Sequence, residues 1–440
     1  MIGLTRWPKL EDLRAKLSQR AKAKPDFRFY SLHDKVYRTD VLEAAYAQVR
    51  SNGGAPGVDG QTFEDIEKAG VEHYLAELAR DLKEKRYQPQ PVRRVRIPKE
   101  GKPGEYRPLG IPVIRDRIAQ QAVRLLLEPI FEADFTDEMY GYRAGRSAQD
   151  AVQAVLNSLW SDRTEVVDAD LSKYFDTIPH AALMKSVQRR IADSKVLWLI
   201  RAWLKVPVQE TTARGKIVIS GGRNTKQGTP QGGVISPLLA NIYFRRLLKA
   251  WEKWGWHERY AARIINYADD FVILTKKRGR EALEATQRVL KGLGLTLNTT
   301  KTRIVRAWEE PFTFLGYTFG KRYAYGGKPY LGGRPSDRNV KKYRQRVHQI
   351  TQNDQTWRDE HGVLKDLNAC TRGFWGYFNQ GVTGNLRGQL DAYLYQRLAR
   401  WVWRKSGRTG YRQHITRLSE HLVLGRTLTR SSRTALAACP

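Results

Sequence analysis

Tyr267-Ala268-Asp269-Asp270 interrupts an apolar stretch, with Ile264-Ile265 before it and Phe271-Val272-Ile273-Leu274 after it. The pattern reads as an apolar hairpin with two adjacent carboxylates at its tip. Like charges that close raise each other's pKa. A bound divalent cation removes the penalty, and hard cations such as Mg²⁺ take carboxylate oxygens while keeping waters for substrate phosphates. Taken alone, the dipeptide reads more readily as a solvated turn.

A second carboxylate changes that balance. Glu165-Val166-Val167-Asp168-Ala169-Asp170-Leu171 has the composition of a core strand, and Asp170 ends it, with Phe175 five residues later. Around these segments, helical spacing marks Val41 to Val49, Val71 to Leu82, Ile118 to Phe131 and Ala148 to Trp160. Pro91 to Pro98 alternates as an edge strand, with Tyr106 to Pro112 as its partner across a glycine-rich hairpin at Gly101 to Gly104. Further strand-like runs lie at Ile264 to Leu274 and Phe312 to Phe319. Alternation of helices and strands, by itself, indicates an α/β core. Residues 1 to about 30 read as a basic surface helix or arm. Pro335-Ser336-Asp337 starts a helical module with an apolar stripe of Val340, Tyr343, Val347 and Ile350. Helices at Val363 to Phe378 and Leu386 to Trp403 complete it.

Lys and Arg number 77 against 45 Asp and Glu among 440 residues, a formal charge of +32. Such an excess points to a polyanion, and nucleic acid is the favoured one, since phosphate contacts release counterions. A membrane partner is not expected, because no basic amphipathic anchor separates from the rest and no apolar run has membrane-span length. Cys370 and Cys439 form no CxxC pair, which excludes a disulfide framework and a structural zinc site. The start Met1 to Pro8 has no apolar signal core, and a reducing cytosol is the expected compartment.

Asp170-Leu171-Ser172-Lys173-Tyr174-Phe175 and Tyr267 to Asp270 together resemble the two catalytic motifs of reverse transcriptases. The resemblance places metal ligation at Asp170, Asp269 and Asp270, with two Mg²⁺ ions (Mn²⁺ as a substitute), and puts Phe175 under the sugar of the incoming nucleotide. Asp168 is then structural or a bystander. Gly228-Thr229-Pro230-Gln231-Gly232-Gly233 looks like the segment lining the nucleotide pocket, with Gln231 near sugar and base. In Leu295 to Thr302, Lys301 resembles the lysine that meets the pyrophosphate. Phe314-Leu315-Gly316-Tyr317 looks like the primer grip, and Lys99 and Arg107 resemble the residues that hold the triphosphate.

The likeness is closer to the proteins of group II introns. Asn52 to Gly60 and Arg115 to Asp150 are similar to their N-terminal extension and fingers. Asn368 to Phe378 is similar to their thumb, or maturase, domain, which implies RNA contact by Arg372, Trp375 and Tyr377. Together these likenesses imply an α+β right-hand polymerase, with fingers and a palm built on an antiparallel sheet, then an α-helical thumb. The expected domains are residues 1–60, 61–325, 335–405 and a basic tail, 406–440, in which no Cys/His-rich endonuclease cluster is present. The implied partners are intron RNA, an RNA template on a DNA primer, dNTPs and target DNA, in a bacterial cytoplasm close to the nucleoid. A relative domesticated for repair or defence, and a splicing-only RNA-binding protein, remain as alternatives.

Overall fold

The run from Ile264 to Leu274 folds back on itself. In the computed structural model, which describes residues 6–98, 104–212, 215–230, 232–324, 326–381, 384–406 and 411–425, strands Arg263–Tyr267 and Asp270–Thr275 pair antiparallel, with Tyr267 opposite Asp270. Strand Glu165–Asp170 lies on the other side of Asp270–Thr275, and Arg303–Arg306 completes a four-stranded sheet. Every pairing in it is antiparallel. The α/β core suggested by the alternation of elements is therefore corrected to α+β: the chain returns to this sheet in opposite directions, not through parallel crossovers.

Both faces of the sheet are covered, which explains the near-continuous apolar strands. Successive side chains alternate between two cores. Val167, Ala169, Ile264, Phe271 and Ile273 join the helices Ser236–Lys253 and Gly279–Gly292. Val166, Ile265, Val272 and Leu274 join the helix Ala148–Trp160 and the C-terminal helices. By the same alternation Asp168, Asp170 and Asp270 project to the second side, toward the C-terminal module.

A second sheet has the order Tyr106–Ile111, Val92–Pro98, Pro207–Thr211, Ile217–Gly221. Val92–Pro98 was expected at an edge. It is interior, antiparallel to Tyr106–Ile111 and parallel to Pro207–Thr211, and Arg96 reaches Glu210 across the parallel pair at 2.6 Å. Only Val92 of its apolar residues is buried; Val95 and Ile97 are exposed at 38% and 45%, so the alternation does not mark a buried face.

The N-terminal helix Pro8–Ala23 is docked and not a free arm. Leu10, Leu17 and Ala21 are buried, and Arg14 pairs with Glu128 at 3.0 Å on the buried helix Ile114–Glu132. Helix Thr39–Asn52 packs on the same support and ends at Gly53, whose φ of 62° suits glycine.

A third sheet, Phe312–Phe314, Tyr317–Tyr323 and Pro329–Pro335, leads into helices Asp337–Ile350, Glu360–Tyr377 and Gly384–Ser406. The stripe of Val340, Tyr343, Val347 and Ile350 is buried as its spacing requires. The segment expected as a tail holds a fourth helix, Tyr411–Glu420, which buries Ile415 and Leu418, packs on Gly384–Ser406 and pairs Arg417 with Glu360 of Glu360–Tyr377. Among the described residues no helix is long and apolar enough to cross a membrane.

Candidate active site

The hairpin tip is a two-residue turn, Ala268-Asp269, with Ala268 at a φ of 61°. A two-residue hairpin needs a positive φ of this kind to match strand twist. Alanine accepts it here because neighbours hold the turn. Buried Asn266 donates from Nδ2 to the Ala268 carbonyl at 2.8 Å. Gly141 lies so close that a Cβ there would stand 2.5 Å from the Ala268 nitrogen. The segment through Tyr140 is pinned alongside by backbone bonds to Asn266.

Asp170 and Asp270 are directly opposite each other in the strand register, and Asp269 is adjacent at the tip. Asp270 is reached by solvent but set deep among protein atoms. Desolvation, then Asp269, Asp170 and Asp168, push its pKa up to about 6, against a smaller opposing effect of Lys301. Lys301 Nζ pairs with Asp170 Oδ2 at 2.7 Å. That hydrogen bond raises the lysine pKa, ahead of desolvation, which lowers it. Asp168 is partly buried and answers to Arg303 at 3.5 Å, in keeping with a structural role. Burial raises its pKa, and Arg303 opposes the shift.

Phe175 is partly buried, and its ring meets Tyr174 at 5.7 Å and Tyr142 at 6.4 Å. The glycine-rich loop is laid along this segment. Thr229 N–H donates to the Phe175 carbonyl at 2.6 Å, Gly228 N–H to Ile178 at 2.8 Å, and His180 N–H to Lys226 at 2.9 Å. His180 Nε2 donates to the Gly228 carbonyl at 2.6 Å. Gly228 has a φ of 93°, and a Cβ there would meet the Asp176 carbonyl oxygen at 3.0 Å, so this close approach requires glycine. Arg107, opposite Ile97 on the second sheet, is exposed. Lys99 and Gln231 lie outside the described residues.

Tyr142 was not anticipated as part of the site. Beyond its contact with Phe175, burial raises its hydroxyl pKa, Asp269 adds to that rise, and Arg107 opposes it. Tyr142 is thus electrostatically coupled to residues of both sheets. The only hint in the sequence is a glycine between two tyrosines, Tyr140-Gly141-Tyr142.

Phe314-Leu315-Gly316-Tyr317 forms a second tight hairpin turn, with φ of 48° at Leu315 and 78° at Gly316. Phe314 and Tyr317 are buried. Tyr317 donates its hydroxyl to the Tyr377 carbonyl at 2.7 Å, and Tyr377 donates its own to the Leu315 carbonyl at 3.0 Å. The turn is thereby locked to the helix Glu360–Tyr377. On that helix Arg372 is exposed beside His361, Lys365, Arg417 and His421 around a cavity of about 640 Å³. Trp375 is different: it is 2% exposed, covered by Arg387 at 4.5 Å from its ring. Its assignment to RNA contact is corrected, because a ring closed in that way holds helices together.

Among the described residues no three His, Cys, Asp or Glu side chains converge into a ready ligand set. The chemistry of the donors still fits a hard divalent cation: carboxylates in direct register, one of them with its pKa raised by desolvation and then by the others.

The profile of the reverse transcriptase (RNA-dependent DNA polymerase) family matches residues 97–319, and that of the group II intron maturase-specific domain matches residues 340–419. Protein YkfC of Escherichia coli K12 is 36% identical over 362 residues, 72% of this chain and 90% of that protein. The group II intron-encoded protein LtrA of Lactococcus lactis subsp. cremoris is 35% identical over 236 residues, 53% of this chain but only 37% of LtrA. A structure of telomerase from Candida albicans aligns at 12% identity with a TM-score of 0.44, over 80% of this chain and 71% of the other, a likeness too slight to argue from. The two matched domains, in this order along one chain, make it a member of the group II intron reverse transcriptase and maturase family.

Proposed function

We propose that Asp170, Asp269 and Asp270 hold two Mg²⁺ ions, with Mn²⁺ as a substitute, in an RNA-directed DNA polymerase that copies intron RNA and assists its splicing and retrohoming. The observation that carries this reading is the register: Asp170 and Asp270 face each other on paired strands, with Asp269 at the adjoining turn. Reverse transcriptases use divalent metal, and when bound it would lower the pKa of the primer 3′-hydroxyl and offset charge on the departing pyrophosphate.

The chain's own residues do the rest. Arg107 and Lys99 hold the triphosphate of the incoming dNTP by charge. Lys301, already beside Asp170, serves as the proton donor to the leaving group. Phe175, braced by Tyr142, lies under the sugar, and Gln231 of the glycine-rich loop contacts sugar and base. Leu315 and Gly316, with Phe314 and Tyr317 beneath them, position the primer end. Arg372 and Tyr377 belong to the surface that holds template–primer duplex and intron RNA, mostly through phosphates. Target DNA is the further partner, in a cytoplasm where the protein sits with the nucleoid. An intact carboxylate set favours a working polymerase over a splicing-only protein.

The test is one preparation of Asp170→Asn assayed twice. Primer extension is lost while help to splicing of the cognate intron persists. A folded variant that extends primers at the wild-type rate removes Asp170 from the metal site.

A further inference from the structure

Helix Ser236–Lys253 has two faces. Phe244 packs on Phe271 of the catalytic sheet, with ring centroids 5.8 Å apart, and Leu247, Leu248 and Trp251 are buried with it. The other face carries Arg245, Arg246 and Lys249. Across from it, the end of helix His180–Gln188 presents Lys185 and, one turn on, Arg189. Between them is a cavity of about 250 Å³ lined by these five cations, by one carboxylate, Asp134, and by Phe131, Ile242 and Ser186.

That carboxylate is already engaged. Arg190 grips both its oxygens, each at 3.0 Å, and Arg245 lies 3.8 Å from one of them while donating to the Asp134 carbonyl at 2.6 Å. Lys249 pairs with Glu252 at 2.7 Å, and Arg246 lies over the Tyr243 ring at 5.4 Å. Among the described residues Lys185 and Arg189 have no ion-pair partner, although like charges at that helical spacing repel. Burial lowers the pKa of Arg245, Asp134 and Glu252 oppose this, and Arg189 and Arg190 lower it further. A cavity with two unpaired cations on a protein of +32 is a place for an anion.

We propose that this cavity, on the side of the helix away from the catalytic sheet, binds the phosphodiester backbone of folded RNA and tethers it independently of the strand being copied. The inference rests on the RNA-binding function proposed above. RNA is the occupant favoured by charge complementarity in a chain that carries a maturase domain.

The experiment measures equilibrium binding of a folded group II intron transcript over a salt series, for wild type and for Lys185→Glu with Arg189→Glu. The double variant should lose about tenfold in affinity at moderate salt, and its log–log salt slope should fall by about 1.5 to 2. Extension of a short template–primer, which occupies only the copy site, should stay unchanged. Lys185→Gln with Arg189→Gln gives the same direction if the reversal disturbs folding. Reversing Lys68 and Lys83, exposed on other helices, controls for bulk charge. An unchanged slope, an equal loss in that control, or a loss confined to a DNA duplex of equal length would each overturn the proposal. If wild-type affinity is itself insensitive to salt, the RNA-binding reading fails first and this inference with it.

Discussion

Lys301 places its Nζ 2.7 Å from Asp170 Oδ2 and so supplies the carboxylate cluster with an internal counter-charge. Both partners are partly solvated, so the pair contributes little to stability. Its effect is on ions and protons. Lys301→Ala should make the cluster more negative and lower the half-saturating Mg²⁺ concentration, by up to about fivefold. Turnover should fall by about 10² or more, because the proposed proton donor to pyrophosphate is gone. A Mg²⁺ titration of primer extension reads both; unchanged turnover would leave Lys301 only a surface partner of Asp170.

The proposed place of Phe175 under the nucleotide sugar makes sugar choice its test. A 2′-hydroxyl buried against its ring would have no hydrogen-bond partner. Phe175→Val should weaken discrimination against ribonucleotides while deoxynucleotide incorporation falls modestly, measured as kcat/KM for dNTP and rNTP on one RNA template. Tyr142→Ala should shift the ratio in the same direction and by less, since Tyr142 acts through its contact with Phe175. An equal loss for both sugars would make Phe175 a packing residue.

Asp193 ties the N-terminal segment to the body. One carboxylate oxygen accepts from Leu32 and His33 N–H, both at 2.8 Å, and the other caps the helix Ser194–Leu204 through Lys195 and Val196. Burial pushes its pKa up, but these four donors outweigh it and leave the pKa lowered. A depressed carboxylate stabilises fully above the unfolded value of about 3.9 and loses that contribution as pH falls through the folded one. Asp193→Ala should cost about 2–4 kcal/mol at pH 7. Urea midpoints should show the gap to wild type narrowing at pH 3, whereas a gap independent of pH would contradict the assignment.

Trp375 and Arg372 sit three residues apart and should behave oppositely. Trp375→Ala empties a closed space and should destabilise the C-terminal module by about 3–5 kcal/mol. Arg372→Ala should leave stability within about 0.5 kcal/mol and weaken RNA binding. Limited proteolysis alongside RNA binding separates the two. A stable Trp375→Ala protein with selectively weak RNA binding would restore Trp375 to the RNA surface.

The Tyr267–Asp270 hairpin was legible because apolar runs and a polar tip are local features, and register then followed from a two-residue turn. Trp375 was legible too, since Leu364, Leu367, Thr371 and Trp375 fall on one helical stripe, but resemblance to an RNA-binding segment drew the reading away from that pattern. The interior place of Val92–Pro98 was not legible: alternation of residue types says nothing of a neighbour more than a hundred residues away. Strand Pro207–Thr211, that neighbour, has a single strongly apolar residue, Val208. Tyr142 escaped because its approach to Phe175 depends on a positive φ of 58° in a non-glycine residue, which only tertiary packing sustains.

In the function proposed here, the carboxylates at the paired strand ends perform DNA synthesis while separate cationic surfaces hold RNA. Asp269→Ala tests it most directly, with primer extension and RNA binding measured on the same preparation. Extension should fall about a thousandfold or more, equivalent to some 4 kcal/mol of barrier, and affinity for folded RNA should stay within about twofold of wild type. Extension at a near wild-type rate by a folded variant would contradict the account.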